Sequence, residues 1–132
     1  MYELLILVSP ETTTNLAALE ATVRSEFSSL TPPQAVRTSI KNDRLTVDVD
    51  GFRFHVDFAC ESHVLEESQE IAAQFAANHP SRAAIARARC RFELTSDDDP
   101  AMDHFNDMIF ICEAAEAIGP VFIFDPQAGE FQ

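Results

Sequence analysis

Several residue types are scarce in this chain of 132 residues, and each scarcity argues against a class of protein. The chain has no Trp and one Tyr, so two side chains that commonly stack on ligand rings are nearly missing. Its three glycines, Gly51, Gly119 and Gly129, are too few and too far apart for a phosphate-binding loop or a dinucleotide-binding motif. No apolar run approaches the length that a membrane-spanning helix needs.

Basic residues are also few in this chain. Nine Lys and Arg residues stand against 22 Asp and Glu residues, which gives a formal net charge of −13 at pH 7. Such a charge disfavours broad contact with a nucleic-acid backbone or with an anionic membrane surface. It suits a cationic protein partner, but it would also keep the chain soluble without any partner. The charge alone leaves both explanations open.

The cysteines are odd in number and widely spaced, at Cys60, Cys90 and Cys112. Each falls within an apolar pattern, so we expect three unpaired, buried thiols in a cytosolic protein. No CxxC pair is present, so a zinc site is not expected, and we predict no cofactor. The chain start has Glu3 where a secretory signal carries positive charge, and its apolar run is short. We therefore predict a cytoplasmic location.

The clearest structural pattern lies between Ala35 and Cys60. Apolar and polar residues alternate on both sides of an Asp-Gly pair at 50–51, which is typical of a two-residue hairpin turn. Pairing across this turn sets Val47 opposite Phe54 on an apolar face, and Asp48 opposite Arg53 on a charged face. An Asn-Asp pair at 42–43 closes an earlier hairpin, so the pattern predicts a three-stranded antiparallel meander.

The rest of the chain alternates helical and strand periodicity, and its length suits one domain covering residues 1–132. Helices are predicted from Thr12–Thr14 to Leu30, from just after Cys60 to Asn78, and from Ala101 to Ile118, with Asp99 capping the last. Further strands are predicted at Tyr2–Ser9, Ala86–Thr95 and Val121–Phe124, and the first and last of these should be central. The order βαβββαβαβ predicts an α+β two-layer sandwich, with one mainly antiparallel sheet and three helices on one face.

Most of the basic residues fall on the predicted strands, so one sheet face should carry many charges. The residues expected to project from it are Arg37, Asp48, Arg53, His55, Asp57, Arg87, Arg89 and Arg91. They can form a recognition surface for a partner. They can equally form cross-strand charge pairs on a solvated face, each worth only about 0.2–1 kcal/mol.

The densest acidic cluster precedes and enters the last predicted helix. It comprises Asp97, Asp98, Asp99, Asp103, His104 and Asp107. A divalent metal is conceivable there, but the spacing lacks the regular ligands and the turn glycine of a calcium loop. Acidic residues are expected at a helix N-terminus because they favour its dipole, so we predict no metal site and treat this cluster as a second candidate partner-binding surface.

Nucleophilic chemistry finds little support in the sequence. Cys60 and His63 are close in the chain, but the cysteine continues an apolar strand face and no third group is evident to orient the histidine. His79 belongs to a helix stop. We therefore predict a binding protein rather than an enzyme.

The last third of the chain resembles the C-terminal end of small acidic bacterial immunity proteins, which protect cells from secreted toxins. The similar segments are Asp98–Pro100, His104–Asp107, Gly119–Gln127 and Gly129–Phe131. The resemblance implies a cytoplasmic antitoxin that binds a cognate, often basic, toxin and occludes its active site. It implies no catalytic residue, because such proteins act by binding.

A second hypothesis belongs to another class of protein. The chain could be a ligand-binding or regulatory α+β domain that works through its open sheet face, also as a homodimer. The neighbouring gene would separate the two hypotheses, because an immunity gene should lie beside a toxin gene.

Overall fold

The computed structural model describes residues 1–132 and contains seven strands and four helices. The strands are β1 (Glu3–Val8), β2 (Arg37–Lys41), β3 (Arg44–Val49), β4 (Phe52–Ala59), β5 (Arg91–Ser96), β6 (Val121–Asp125) and β7 (Glu130–Phe131). The helices are α1 (Leu16–Ser28), α2 (Ser62–Phe75), α3 (Arg82–Ala86) and α4 (Phe105–Ile118).

All seven strands form one antiparallel sheet in the order β2-β3-β4-β5-β1-β6-β7. The predicted meander is confirmed with its register, because Val47 pairs with Phe54 and Asp48 pairs with Arg53. The turn at 50–51 has positive φ at both residues, as a tight hairpin of this kind requires. Strand β1 is interior, whereas β6 lies one position from the edge, beside the two-residue β7.

The larger core lies between one face of the sheet and helices α1 and α4. Leu19, Val23 and Phe27 form a fully buried stripe on α1, at the four-residue spacing that places side chains on one helix face. The helix begins at Leu16, later than predicted, because the side chain of Asn15 accepts a hydrogen bond of 2.9 Å from the Ala18 amide and caps it.

A smaller core lies on the opposite face of the sheet. Leu7 of β1 and Phe124 of β6 are covered there by Ala72 of α2, by Ala76 just after that helix and by Ile85 of α3. The α+β class and the single sheet are therefore confirmed, but there are four helices, and two of them lie on the second face. The reason is that β1 and β6 are apolar on both sides, so each side needs a cover.

The segment Ala86–Thr95 was predicted as one strand, and this prediction is wrong for its first half. Residues up to Ala86 belong to the short helix α3, and the strand begins only at Arg91. Ile85 and Ala88, three positions apart, are both fully buried in the smaller core. Alanine fits a helix at least as well as a strand, so the alternation of alanine and arginine was a weak strand signal.

The cysteine prediction is wrong for two of the three residues. Cys60 and Cys90 form a disulfide, with their Cα atoms 4.3 Å apart. Each lies just outside a strand, at the next facing position beyond the β4–β5 ladder, so the register brings them together. Cys112 is free and buried as predicted, and burial, with smaller effects of Glu116 and Glu113, raises the pKa of its thiol to about 12.

None of the four helices combines the length and the apolar character that crossing a lipid bilayer requires.

Candidate partner-binding site

The acidic loop, residues 97–104, connects β5 to α4, and the carboxylate of Asp99 makes three of the hydrogen bonds that hold it. Asp99 accepts hydrogen bonds from the backbone amides of Asp103 at 3.0 Å and His104 at 2.8 Å. It also accepts a hydrogen bond of 2.6 Å from the phenol of Tyr2, at the start of the chain. Helix α4 begins at Phe105, so Asp99 anchors the loop instead of capping a helix that starts at Ala101 as predicted.

The hydrogen bond between Tyr2 and Asp99 contributes to the pKa shifts of both groups. Burial of the Tyr2 ring, with the hydrogen bond to Asp99 and the nearby carboxylates, raises the pKa of the phenol to about 12. Partial burial alone would raise the pKa of Asp99. The hydrogen bonds from Tyr2, His104 and Asp103 outweigh that effect, so its pKa lies below the usual value. The contact therefore favours a neutral phenol and a charged carboxylate.

Two other loop carboxylates make contacts that leave them accessible. The Asp97 carboxylate accepts a hydrogen bond of 2.9 Å from the backbone amide of Arg53 and lies 3.6 Å from the Nε atom of the Arg53 side chain. Asp98 lies 3.6 Å from the N-terminal ammonium, yet 91% of its side chain is exposed. Asp103 is exposed, and its side chain has no hydrogen-bond or ion-pair partner. The loop thus presents negative charge to solvent at Asp98 and Asp103, and only Asp103 has no ion-pair partner.

His104 and Asp107, which were also predicted to touch a partner, face the protein interior. The Nδ1 atom of His104 lies 2.9 Å from the Oδ2 atom of Asp107, and the imidazole stacks on Phe52 with ring centroids 4.2 Å apart. The Asp107 side chain is buried. This pair fixes the start of α4 against the sheet, and Asp107 is not available for direct contact.

Three exposed apolar residues, Met1, Met102 and Phe105, lie within or next to the acidic loop, and we call them the apolar patch. The residues are 55%, 59% and 38% exposed, and they make up three of the five large apolar residues that remain exposed. Tyr2 joins them, because its ring centroid lies 6.1 Å from that of Phe105. The sequence predicted a helix from Ala101 to Ile118, which would include both Met102 and Phe105. The later helix start leaves Met102 in a turn, with φ of 58°.

The open part of the sheet face lies over β2, β3 and β4, where no helix covers it. Some of its charges are paired within the chain. Arg44 donates two hydrogen bonds of 2.9 Å to the carboxylate of Asp57. The Thr46 hydroxyl lies 3.3 Å from the Nδ1 atom of His55, and Arg37 faces Asp48 in the ladder. This pattern fits cross-strand pairing.

The predicted charged surface is divided, because three arginines lie away from this open region. Arg91 is buried under α2 and pairs with Glu67 at 3.3 Å and Glu93 at 2.7 Å. Arg87 lies 4.0 Å from Glu11. Arg89 makes no ion pair and lines a cavity beside the disulfide. The structure thus brings together Arg37, Asp48, Arg53, His55 and Asp57, and Arg53 connects this group to the acidic loop through Asp97.

The structure also bears on other chemistry that the sequence raised. No group of three or more His, Cys, Asp or Glu side chains is placed to hold a metal ion. Cys60 is engaged in the disulfide, and the Nε2 atom of His63 lies 3.7 Å from Glu67. The two residues therefore do not form a thiol and base pair.

Comparison of the chain with protein-family models, with curated proteins and with solved structures finds no match.

Proposed function

We propose that this protein is a cytoplasmic immunity protein that neutralises a cationic toxin by binding it directly. The observation that carries the proposal is the juxtaposition of exposed apolar side chains, Met1, Met102 and Phe105, with the exposed carboxylates of Asp98 and Asp103. The acid-rich composition of the whole chain supports it as well.

The physical basis is the usual division of labour in a protein interface. A few desolvated apolar or aromatic side chains hold the partners together and govern the off-rate. Charges at the rim steer the encounter and govern the on-rate and its salt dependence. The apolar patch and the acidic loop provide both parts side by side, whereas on the open sheet face Arg44 is already paired with Asp57 and Arg53 with Asp97.

The test is co-expression with the protein encoded by the neighbouring gene, followed by binding kinetics at low and at physiological salt. We expect a complex, protection of cells from that protein, and an on-rate that falls as salt rises.

Two matched pairs of variants locate the surface. Asp98→Asn with Asp103→Asn should slow association, whereas Glu66→Gln with Glu70→Gln changes the net charge equally on exposed positions of α2 and should slow it less. Met102→Asn removes the apolar side chain at a backbone position that asparagine tolerates, and should raise the off-rate about fivefold, the effect of roughly 1 kcal/mol. Ile40→Thr, which shortens an exposed apolar side chain on β2, is its control.

No complex with that protein, or no protection, would contradict the immunity proposal. A complex that is insensitive to the loop and patch variants but weakened by changes at Arg53 and His55 would move the interface to the open sheet face. Binding of a small molecule there would support the alternative of a ligand-binding or regulatory domain.

A further inference from the structure

The disulfide between Cys60 and Cys90 lies at the end of the sheet, where two paired strands stop. Phe58 faces Phe92 and Ala59 faces Arg91 in the β4–β5 ladder, and the two cysteines occupy the next facing positions. The ladder holds both backbones in place whether or not the sulfurs are bonded. The bond can therefore open and close again without rearrangement of the fold.

Both cysteines border a cavity of about 330 Å³ that is open to solvent. Cys60 is exposed and Cys90 is partly exposed, so an incoming sulfur atom can reach the bond from outside. Thr12 and Thr13 line the same cavity and supply hydroxyl groups. The volume is at the lower end of the range of small-molecule sites, which suits a ligand of a few residues in size.

Arg89 also lines this cavity, and its charge is not compensated. Of the three neighbouring arginines, Arg87 lies near Glu11 and Arg91 is paired with two glutamates, but Arg89 has no carboxylate partner. A free guanidinium beside a disulfide favours two things. It attracts a ligand that carries a carboxylate, and it stabilises the thiolate that forms when the bond breaks.

We propose that the Cys60–Cys90 disulfide is a thiol-exchange site for small thiols that carry a carboxylate. The thiolate of the ligand attacks the Sγ atom of Cys60, the more exposed residue of the two, and forms a mixed disulfide with it. The bond between the two cysteines breaks, and its electron pair leaves with the Sγ atom of Cys90 as a thiolate beside Arg89. A second ligand thiolate then attacks the ligand sulfur of the mixed disulfide, and Cys60 leaves as a thiolate. Two ligand thiols are thereby oxidised to one ligand disulfide, and both cysteines are reduced; the reverse sequence closes the bond again.

This site is independent of the proposed toxin-binding surface, which lies at the acidic loop. It has a direct consequence in the proposed location, because the cytoplasm is rich in reducing thiols. The protein would exchange there between a form with the disulfide intact and a form with both cysteines reduced, according to the thiol and disulfide pools around it.

The test uses glutathione as the carboxylate-bearing thiol and 2-mercaptoethanol as the neutral one. The purified protein is exposed to each, quenched with acid, alkylated and measured as intact mass. We expect a transient adduct of one glutathione, which peptide mapping assigns to Cys60, and its accumulation in Cys90→Ser treated with oxidised glutathione. Cys112 should stay unmodified in the folded protein, because it is buried.

The role of Arg89 is tested by comparing the two thiols. Arg89→Gln should slow reaction with both thiols, because the Cys90 thiolate loses its cation, but it should slow glutathione by roughly a further threefold, the scale of one exposed ion pair. Arg82→Gln, an exposed arginine of α3 that does not line the cavity, should change neither rate. Equal slowing of both thiols would overturn the ligand class, and three thiols that never form the disulfide in excess oxidised glutathione would overturn the site. Neither of these two measurements uses Cys90→Ser, so the proposal can be tested even if that variant does not fold.

Discussion

Asp99 makes most of the side-chain hydrogen bonds that hold the acidic loop. Three donors, two backbone amides and the Tyr2 phenol, converge on its carboxylate. The neighbouring Asp103 has the same chemistry but no side-chain contact. Comparing variants of the two residues therefore distinguishes a carboxylate that organises the backbone from a carboxylate that only adds charge.

We predict that Asp99→Ala lowers the midpoint of thermal unfolding at pH 7, while Asp103→Ala leaves it nearly unchanged. The pKa of Asp99 is lowered in the fold, so the stability that it contributes is present above the pKa of an unfolded Asp. It is lost as pH falls through the lowered pKa. Unfolding curves from pH 7 downwards should show a smaller loss of stability in Asp99→Ala than in the wild type. Equal midpoints for the two variants at pH 7 would contradict the anchoring role.

Among the elements, the β3–β4 hairpin has a turn that depends on a glycine. Gly51 has φ of 86°, and a Cβ atom added there would meet no atom within 4 Å. A substitution at this position therefore tests backbone strain without a steric clash.

We predict that Gly51→Ala destabilises the protein by about 1 kcal/mol, because alanine adopts this backbone region reluctantly. Equilibrium unfolding in urea measures the change. Asp50→Asn is the control, since asparagine also accepts the positive φ of 51° at that position, and it should change stability little. A larger loss in the control than in Gly51→Ala would mean that another contact determines the turn.

The hairpin also illustrates what the sequence could predict. Its turn residues and its alternation act over a few positions and agree with each other, so both its location and its register follow from local chemistry. The stripe on α1 was predictable for the same reason. The start of α4 was not, because the acidic residues after β5 suit a helix N-terminus as well as a loop.

The remaining errors depend on contacts that are distant in sequence. The pairing of Cys60 with Cys90 needs the β4–β5 register, which involves strands separated by two helices. The apolar patch is visible only once Met1 and Tyr2 are placed beside the acidic loop. The charged sheet face was overestimated, because Arg87, Arg89 and Arg91 were assigned to a longer strand than the one that forms.

At the scale of the whole molecule, the net charge of −13 opposes compaction. We predict that the thermal midpoint rises when NaCl is raised from about 10 mM to about 150 mM, since the screening length falls from roughly 30 Å to 8 Å. Differential scanning calorimetry at constant pH measures the effect. Glu66→Gln with Glu70→Gln should start from a higher midpoint at low salt and show a smaller rise. A midpoint that is independent of salt in both proteins would mean that local ion pairs compensate the excess charge.

The outermost strand of the sheet, β2, has a consequence for how molecules meet one another. It pairs only with β3, so the outer side of its backbone is free to join another strand. Two copies pairing about a two-fold axis at Ser39 would place Arg37 of each molecule opposite Lys41 of the other, and like charges in facing positions repel. The opposite edge, β7, is only two residues long. Pairing of the sheet edge of one molecule with that of the next is thus disfavoured at both edges. Molecules with this seven-stranded sheet are therefore expected to stay separate at high concentration.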